Sequence, residues 1–430
     1  MIDSRDYHNC LNALYGLRRF GIKLGLSTIR HILEHLGNPQ EHFNCIHVAG
    51  TNGKGSVASM LASILNICGY KTGLYTSPHL VRFNERIVIN NRPISNERVV
   101  TSYKELQRIH PGEREPTFFE YVTAMALYEF GQQDVDWAVI ETGMGGRLDA
   151  TNVIQPALSI ITNISVEHRE YLGNTIREIA GEKAGIIKPH TPVITGVRQK
   201  DAIQVVDKVA ESCSAPVFRL GKDFKVRRNA SGSFTYYGVD NTWRNLQTGL
   251  SGIHQVDNAA LALGACEVLG RNNTRISLAE IKTGLLKTSW PGRLEVVSTH
   301  PFILLDGAHN LIAARNLAKY LTTRLAHRDI TLVIGILDDK PYRAMLDSLV
   351  PVCHRVIVTQ PKIDRRMSAK KLLPIVSHLT DKVTVVEDVG QAVAHAIDSA
   401  TANDAICIAG SLYVVGEAKE ALEKMRIAAP

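Results

Sequence analysis

The stretch Gly50-Thr51-Asn52-Gly53-Lys54-Gly55-Ser56 brings glycines, hydroxyls and one lysine together. An apolar run, Cys45 to Ala49, precedes it, and Val57, Met60, Leu61, Ile64, Leu65 and Cys68 follow at helical i, i+3, i+4 spacing. Strand, glycine loop and helix make the setting in which backbone N–H groups converge on a phosphate and the helix dipole adds positive potential. Lys54 has the reach for the β- and γ-phosphates of ATP, and a hydroxyl at the helix start can hold Mg2+. The pattern departs from the standard G-x-x-x-x-G-K-[ST], because Gly55 separates Lys54 from Ser56. A flexible turn with an incidental lysine is the bland alternative. The flanking strand and helix favour ATP.

Ligands of open α/β sheets gather beyond the carboxyl ends of strands, and three further segments end strands with polar residues. Glu141-Thr142-Gly143-Met144-Gly145-Gly146-Arg147-Leu148-Asp149 sets a carboxylate beside glycines that allow close approach, which suits a hard cation bridging phosphates; the alternative is a strand-ending acid in a solvated turn. Ile161 to His168 ends the next strand similarly, and of the 16 histidines only His168 and His309 follow strands in polar, turn-rich settings. Glu182-Lys183 reads by default as a solvated pair, but the apolar Ala184 to Ile187 hints that Lys183 is partly buried and needs a partner or chemical masking. Asp306-Gly307-Ala308-His309-Asn310 could face a ligand across a cleft, although Asp306 also fits the role of helix cap. Neither G-x-S-x-G nor H-E-x-x-H occurs, so serine and zinc hydrolases gain no support.

The elements that must carry these residues follow from periodicity. Helices are predicted near 6–19 and 26–36, ended by Gly37-Asn38-Pro39, and near 117–131, 176–187 and 254–269. Apolar runs at Trp137–Thr142, Leu158–Ile164 and Pro192–Val197 read as buried strands between helices, and Phe224 to Tyr237 as an antiparallel hairpin. After Trp290-Pro291-Gly292-Arg293 the rhythm restarts, with strands at 302–306, 331–336, 355–359, 383–386 and 405–409. The predicted fold is α/β: an N-terminal P-loop domain with a doubly wound, mostly parallel sheet over 1–290, and a smaller Rossmann-like α/β domain over 291–430.

Composition agrees. The 430 residues carry 49 Lys+Arg against 42 Asp+Glu, a formal +7, with 45% hydrophobic and 21% charged residues, values of a globular protein rather than a disordered or fibrous one. There is no apolar run long enough to span a membrane and no visible secretory signal, so a cytoplasmic enzyme is expected. The 7 cysteines are scattered without C-x-x-C, which fits reduced thiols rather than a disulfide framework or zinc site. Aromatics are only 6% and basic runs are short, which argues against a nucleic-acid surface.

Taken in order, these motifs resemble the folylpolyglutamate synthase/dihydrofolate synthase branch of the Mur-ligase superfamily, most closely its bacterial bifunctional members. GTNGKGS at 50–56, TSPHL at 76–80, FNERI at 83–87, FFEY at 118–121 and ETGMGGRLDATN at 141–152 carry the resemblance, with the 161–168 segment, EKAGIIK at 182–188, WPGRLE at 290–295, DGAHN at 306–310 and GSLYVVGE at 410–417. The resemblance implies an ATP-dependent amide ligase that joins L-glutamate to dihydropteroate and to tetrahydrofolate, with two Mg2+ ions, acting as a monomer on small molecules. The first domain would bind ATP, metal and folate, and the second would close over the nucleotide. Thr51, Asn52, Gly53, Lys54, Gly55 and Ser56 would cradle the phosphates, and Ser56, Ser77, Glu141 and His168 would meet Mg2+. Lys183 matches a family lysine that is carbamylated and so becomes an anionic metal partner. Asn258, Arg293, Asp306 and His309 would contact ATP. Phe118, Phe119, Glu120 and Tyr121, with Leu148, Asp149 and Ala150, match segments that form the pterin-side pocket.

One position departs from the family: Glu167 stands where an Asp usually precedes the metal-binding His. The implied chemistry is activation of a carboxylate by phosphoryl transfer, followed by attack of the glutamate amine on the acyl phosphate. Lys54, Glu141, His168, Lys183, Asp306 and His309 would be its catalytic set. A monofunctional folylpolyglutamate synthase, a Mur-type ligase for another carboxylate, and a P-loop ATPase acting on nucleic acid or protein are the competing readings.

Overall fold

Short runs of Val, Ile and Leu that are apolar on both faces form strands only when helices cover both sides, and this requirement organises the chain. The computed structural model describes residues 4–427, apart from 22, 111, 230–231 and 272–273. The strands are β1 (Asn44–Ala49), β2 (Thr72–Tyr75), β3 (Ile87–Ile89), β4 (Arg92–Pro93), β5 (Trp137–Glu141), β6 (Leu158–Ile161), β7 (Val193–Thr195) and β8 (Val217–Arg219). They form one sheet in the order β4-β3-β2-β5-β1-β6-β7-β8. All its pairings are parallel except β2–β3 and β3–β4.

The helix Lys54–Ile67 leaves the end of β1 and is buried along most of its length. Its small residues let another helix, Leu278–Lys287, come close. A Cβ on Gly284 would lie 2.6 Å from Ile64 Cα, and Ser63 donates to the Gly284 carbonyl at 2.8 Å. The predicted hairpin gains a third strand: β9 (Lys225–Arg228), β10 (Phe234–Tyr237) and β11 (Thr242–Leu246) form a separate antiparallel sheet. Buried Glu267 pins its turn, accepting from the backbone N–H groups of Val239, Asp240 and Asn241 at 2.7–2.9 Å. The predicted helix 6–19 is α-helical only over Ser4–Gly16 and continues as a 3-10 turn, Leu17–Phe20.

The remaining strands are β12 (Glu295–Thr299), β13 (Phe302–Asp306), β14 (Asp329–Ile334), β15 (Arg355–Val358), β16 (Val383–Val385) and β17 (Asp404–Ala409), in the order β12-β13-β17-β14-β15-β16. Only β12 runs antiparallel to its neighbour. Alternate residues serve opposite cores. Leu304, Leu332, Ile334 and Cys407 pack into one apolar cluster, and Ile303, Leu305, Val333 and Ile406 into the other. This is the doubly wound arrangement.

The chain divides into two units. The first holds the residues up to His79, Phe83–Gly249 and Gln255–Ser289, and the second holds Leu80–Arg82, Leu250–His254 and the chain from Trp290. A single cut near 290 therefore misses two short segments of the second unit. Leu80 belongs there because its side chain lies against Gly292, and its carbonyl occupies the space a Cβ on Gly416 would need.

Candidate active site

In the first unit the glycine loop is held from below by the segment that follows β6. The Thr51 and Asn52 N–H groups donate to the Asn163 carbonyl and Oδ1, both at 2.9 Å. Thr162 Oγ1 and Asn163 Nδ2 donate to the Asn52 carbonyl at 2.7 and 2.8 Å. Gly50 must be glycine here: its φ is +147°, and a Cβ would fall 1.9 Å from Thr162 Oγ1. Gly53, at φ +86°, caps the helix Lys54–Ile67 with no side-chain hydrogen bond, so the first-turn N–H groups keep the geometry that receives a phosphate. Lys54 folds back on its own loop, donating to the Gly50 and Thr51 carbonyls at 3.0 and 3.4 Å.

Asn258 stands over this loop. Its Oδ1 lies 2.4 Å from where a Gly53 Cβ would be, and its Nδ2 donates to Gln255 Oε1 at 2.8 Å. Gln255 Nε2 in turn donates to Ser56 Oγ at 3.2 Å. Lys183 approaches from the helix Ile176–Ala184 with its side chain only 1% exposed; Nζ donates to the Gly50 carbonyl at 2.9 Å and pairs with Glu167 Oε1 at 2.7 Å. Burial pushes the Lys183 ammonium down to about 8, and Glu167 acts to hold it charged. The longer Glu at 167 thus reaches the lysine directly. The expectation that Lys183 is buried and partnered is met by this pair.

Glu141 ends β5 next to the loop-bearing β1, where Val48 is its register partner, and its Oε2 accepts the Ser77 N–H at 3.2 Å. His168 follows β6 in a left-handed conformation, φ +45°. Among the described residues no group of three or more His, Cys, Asp or Glu is placed to hold a metal by itself. The donors present are hydroxyls, one buried carboxylate and one imidazole beside a phosphate loop. They suit Mg2+, which keeps several waters and binds through one or two carboxylates plus substrate phosphates. The hydroxyl of Thr142, directly after Glu141, is buried with no partner among the described residues.

The three glycines after Glu141 serve the fold rather than leave room for a ligand. A Cβ on Gly143 would strike the Phe119 ring at 2.5 Å, and one on Gly146 the Glu182 carbonyl at 2.8 Å. Asp149 is fully engaged in the same turn: Oδ2 accepts the Met144 N–H at 2.8 Å, and Oδ1 accepts Thr151 N–H and Oγ1 at 3.0 and 2.5 Å. Burial pushes its carboxyl up, against these hydrogen bonds. Ala150 is buried behind it and Leu148 half-buried.

The FFEY segment divides. Phe118 is half-buried under two guanidinium groups, those of Arg18 at 5.0 Å and Arg86 at 5.2 Å, with the Tyr15 ring at 5.8 Å. Phe119 is half-buried too, beside Tyr75. Glu120 instead closes a capping box with Thr117 and takes two bonds from Arg114 at 2.6 and 2.9 Å. Tyr121 is buried and donates to the Tyr103 carbonyl at 2.9 Å. Glu120 and Tyr121 are therefore committed to the fold, since the capping geometry turns them inward. They do not share the half-open face of Phe118.

Within the second unit, Arg293, Asp306 and His309 meet at one turn. Asp306 accepts the Leu294 and Ala308 N–H groups at 2.9 and 3.0 Å, and Arg293 donates to the Gly307 carbonyl at 3.0 Å. Burial pushes the Asp306 carboxyl up, opposed first by Arg293. His309 Nδ1 lies 2.8 Å from the same carbonyl, which can only accept, so Nδ1 carries a proton. Asp306 braces the turn and does not cap the helix Leu311–Arg324. That role falls to Asn310, whose side chain accepts from Ala313 N–H at 3.0 Å.

Comparison with known proteins follows the same outline. Residues 48–266 match the Mur ligase middle domain, and residues 292–412 the Mur ligase glutamate ligase domain. The dihydrofolate synthase/folylpolyglutamate synthase of Bacillus subtilis is 38% identical over 431 residues, covering 97% of this chain and 99% of that protein. The chain belongs to this family of Mur ligases. Among solved structures, E. coli FolC in complex with DHPP and ADP superposes with a TM-score of 0.88 at 30% identity, over 97% of this chain and 98% of that one. The Yersinia pestis bifunctional enzyme complexed with AMPPNP and Mn ion gives 0.86 at 29% identity, over 97% and 98%.

Several residues that shape this Mur-ligase site are not singled out by sequence patterns. His47 is buried on β1 and donates through Nε2 to Thr151 Oγ1 at 2.8 Å; the Thr151 hydroxyl in turn donates a hydrogen bond to Asp149. Burial lowers the His47 pKa to about 3, so the ring is neutral. Gln255 holds the phosphate loop through Ser56 without a motif to mark it. Thr162 and Asn163, which also hold the loop, stand in the 161–168 segment that carries the family resemblance but are not singled out within it. The Arg86–His79 pair, at 2.7 Å, lies within the FNERI and SPHL blocks, and only the packing of their loops joins them.

Proposed function

We propose that this protein is an ATP-dependent ligase that adds L-glutamate to dihydropteroate and extends tetrahydrofolate by further glutamates, through an acyl phosphate. The observation that carries the proposal is the phosphate loop braced by Thr162, Asn163 and Lys183, with Glu141 at the adjoining strand end and Asn258 above Gly53. Nearly full-length similarity to enzymes named for both activities, and to solved relatives holding ADP, AMPPNP and Mn ion, supports the same reading.

A carboxylate is a poor electrophile, so it must first be phosphorylated, and that step brings two anions together. In this reading, the N–H groups of residues 53–56 and the Lys54 ammonium offset the repulsion and hold the transferring phosphoryl in line. To do so, Lys54 leaves the carbonyls of its own loop for the phosphates. Ser56, Ser77, Glu141 and His168 would hold Mg2+, which supplies charge neutralisation of the phosphates when bound. Lys183, as the ammonium paired with Glu167, fixes the Gly50 carbonyl and with it the loop's first turn, whereas as a carbamate it would serve instead as an anionic metal partner. Arg293, Asp306 and His309 of the second unit bind the nucleotide, and that unit closes over ATP to exclude water. Phe118, Phe119, Leu148 and Ala150 form the apolar side of the pterin pocket, and Asp149 orients its wall.

The partners are small molecules, and the protein acts as a cytoplasmic monomer; scattered, separate cysteines support a reducing compartment. Among the described residues no helix is long and apolar enough to cross a membrane. The test is phosphate release from ATP with Mg2+ and L-glutamate, run in parallel with dihydropteroate and tetrahydrofolate, with products identified by mass spectrometry. Turnover of tetrahydrofolate alone would remove the dihydrofolate synthase half of the proposal. Turnover of neither would remove the folate assignment.

A further inference from the structure

Beyond the carboxyl ends of β14 and β15, the second unit holds an open cavity of about 620 Å³. Two loops build it by pairing main chain to main chain: Leu337 bridges Arg366, Asp338 N–H donates to the Arg365 carbonyl at 3.0 Å, and Met367 N–H to the Ile336 carbonyl at 3.0 Å. The walls are fixed by backbone, and the charged side chains are only lightly engaged: Arg366 donates to the Ile363 carbonyl at 3.2 Å and Arg343 lies 5.9 Å over the Tyr342 ring. Arg343, Arg366 and Lys371 line the cavity together with Asp338, Asp364 and Tyr342. Asp339, one residue away, takes up Lys340 and Arg365 at 2.8 and 3.8 Å. Among the described residues, Arg343, Lys371, Asp338 and Asp364 form no ion pair. Charges of both signs therefore converge on one space without neutralising one another.

That mixture selects among ligands. A polyphosphate would satisfy the cations but meet two carboxylates. A single free amino acid would leave most of the volume to water. A chain that repeats a carboxylate and an N–H donor matches both signs along its length. We propose that this cavity binds an oligo-γ-glutamyl chain, its free α-carboxylates on Arg343, Arg366 and Lys371 and its amide N–H groups on Asp338 and Asp364. Each γ-linked residue carries one of each group, and charge-assisted bonds to guanidinium are the strong kind. The inference rests on the glutamate-ligase reading and adds a place for the chain that such an enzyme lengthens.

The full-length protein would be titrated calorimetrically with tri-γ-glutamate, with L-glutamate and with inorganic phosphate, alongside the double variant Arg366→Ala/Lys371→Ala. The expected result is binding of the trimer at least tenfold tighter than either small ligand, weakened at least tenfold in the variant. In the kinetic arm, KM for tetrahydrofolate bearing four glutamates rises at least tenfold in the variant, while kcat and KM for dihydropteroate stay unchanged. Absence of trimer binding, equal binding of phosphate or glutamate, or a variant that binds as the parent does would each overturn the proposal. Intact turnover without chain binding leaves the ligase standing, whereas loss of turnover on every folate substrate in the parent protein defeats the ligase reading itself.

Discussion

Replacing Gly53 with alanine isolates the contact between the phosphate loop and Asn258. Two costs arise. The backbone at φ +86° is left-handed, which costs an alanine about 1–2 kcal/mol. The new Cβ would also sit 2.4 Å from Asn258 Oδ1, and overpacking of this kind costs about 1–3 kcal/mol. Together the loss is roughly 2–5 kcal/mol. Asn258 cannot step aside freely, because its amide is bonded to Gln255, which reaches Ser56. Removing the obstacle should therefore recover only the packing share. In a cycle of Gly53→Ala, Asn258→Ala and the double variant, urea unfolding should show the double variant more stable than the sum of the singles by at least about 1 kcal/mol. ADP affinity should follow the same order, since the displaced Asn258 drags on Ser56. Additivity within about 0.5 kcal/mol, or a Gly53→Ala protein as stable as the parent, would refute the placement of Asn258 over the loop.

Three other outcomes follow from the same geometry. Lys183→Met leaves Glu167 without its 2.7 Å partner and should cost roughly 2–4 kcal/mol in urea unfolding, together with ligase activity; a variant of parental stability would deny the buried pair. Burial lowers the His47 pKa from 6.5 to about 3, so the unfolded chain takes up a proton that the folded chain refuses. The stability due to neutral His47 is then full above about pH 6.5 and lost as pH falls toward 3, by about 2 kcal/mol at pH 5; parallel pH–stability curves for the parent and His47→Asn would contradict this. Glu120→Ala breaks a capping box and a buried pair with Arg114, and should lower stability by about 2–3 kcal/mol while leaving KM for folate within twofold; a large KM rise at unchanged stability would return Glu120 to the pocket.

The strands β1, β5, β6 and β7 are legible in sequence because each is apolar on both faces, and the phosphate loop because glycine and lysine between strand and helix have few other uses. β2, β3 and β8 escape notice: TGLY, IVI and VFR are too short to show a period, and only the neighbouring strand decides that they pair. At the site, patterns select residue types but not their partners. Asp149 and Glu120 stand in blocks that suggest ligand contact, yet their carboxylates are spent on nearby N–H groups and on Arg114. Gln255 has no motif and Asn163 is an unremarked member of one, yet both hold the loop, because tertiary packing chose their partners. Asp306 and Asn310 exchange roles for a similar reason. Both suit a cap, and the distance from the helix start gives the cap to Asn310.

The most direct test of the central claim is the product of a single turnover. Protein in excess over dihydropteroate, with ATP, Mg2+ and isotopically labelled L-glutamate, would be quenched and its products resolved by mass spectrometry. The account predicts labelled dihydrofolate formed one-for-one with ADP, and, when the run is repeated with tetrahydrofolate, a product longer by one γ-linked glutamate. ATP hydrolysed to ADP with neither folate substrate gaining label would contradict it.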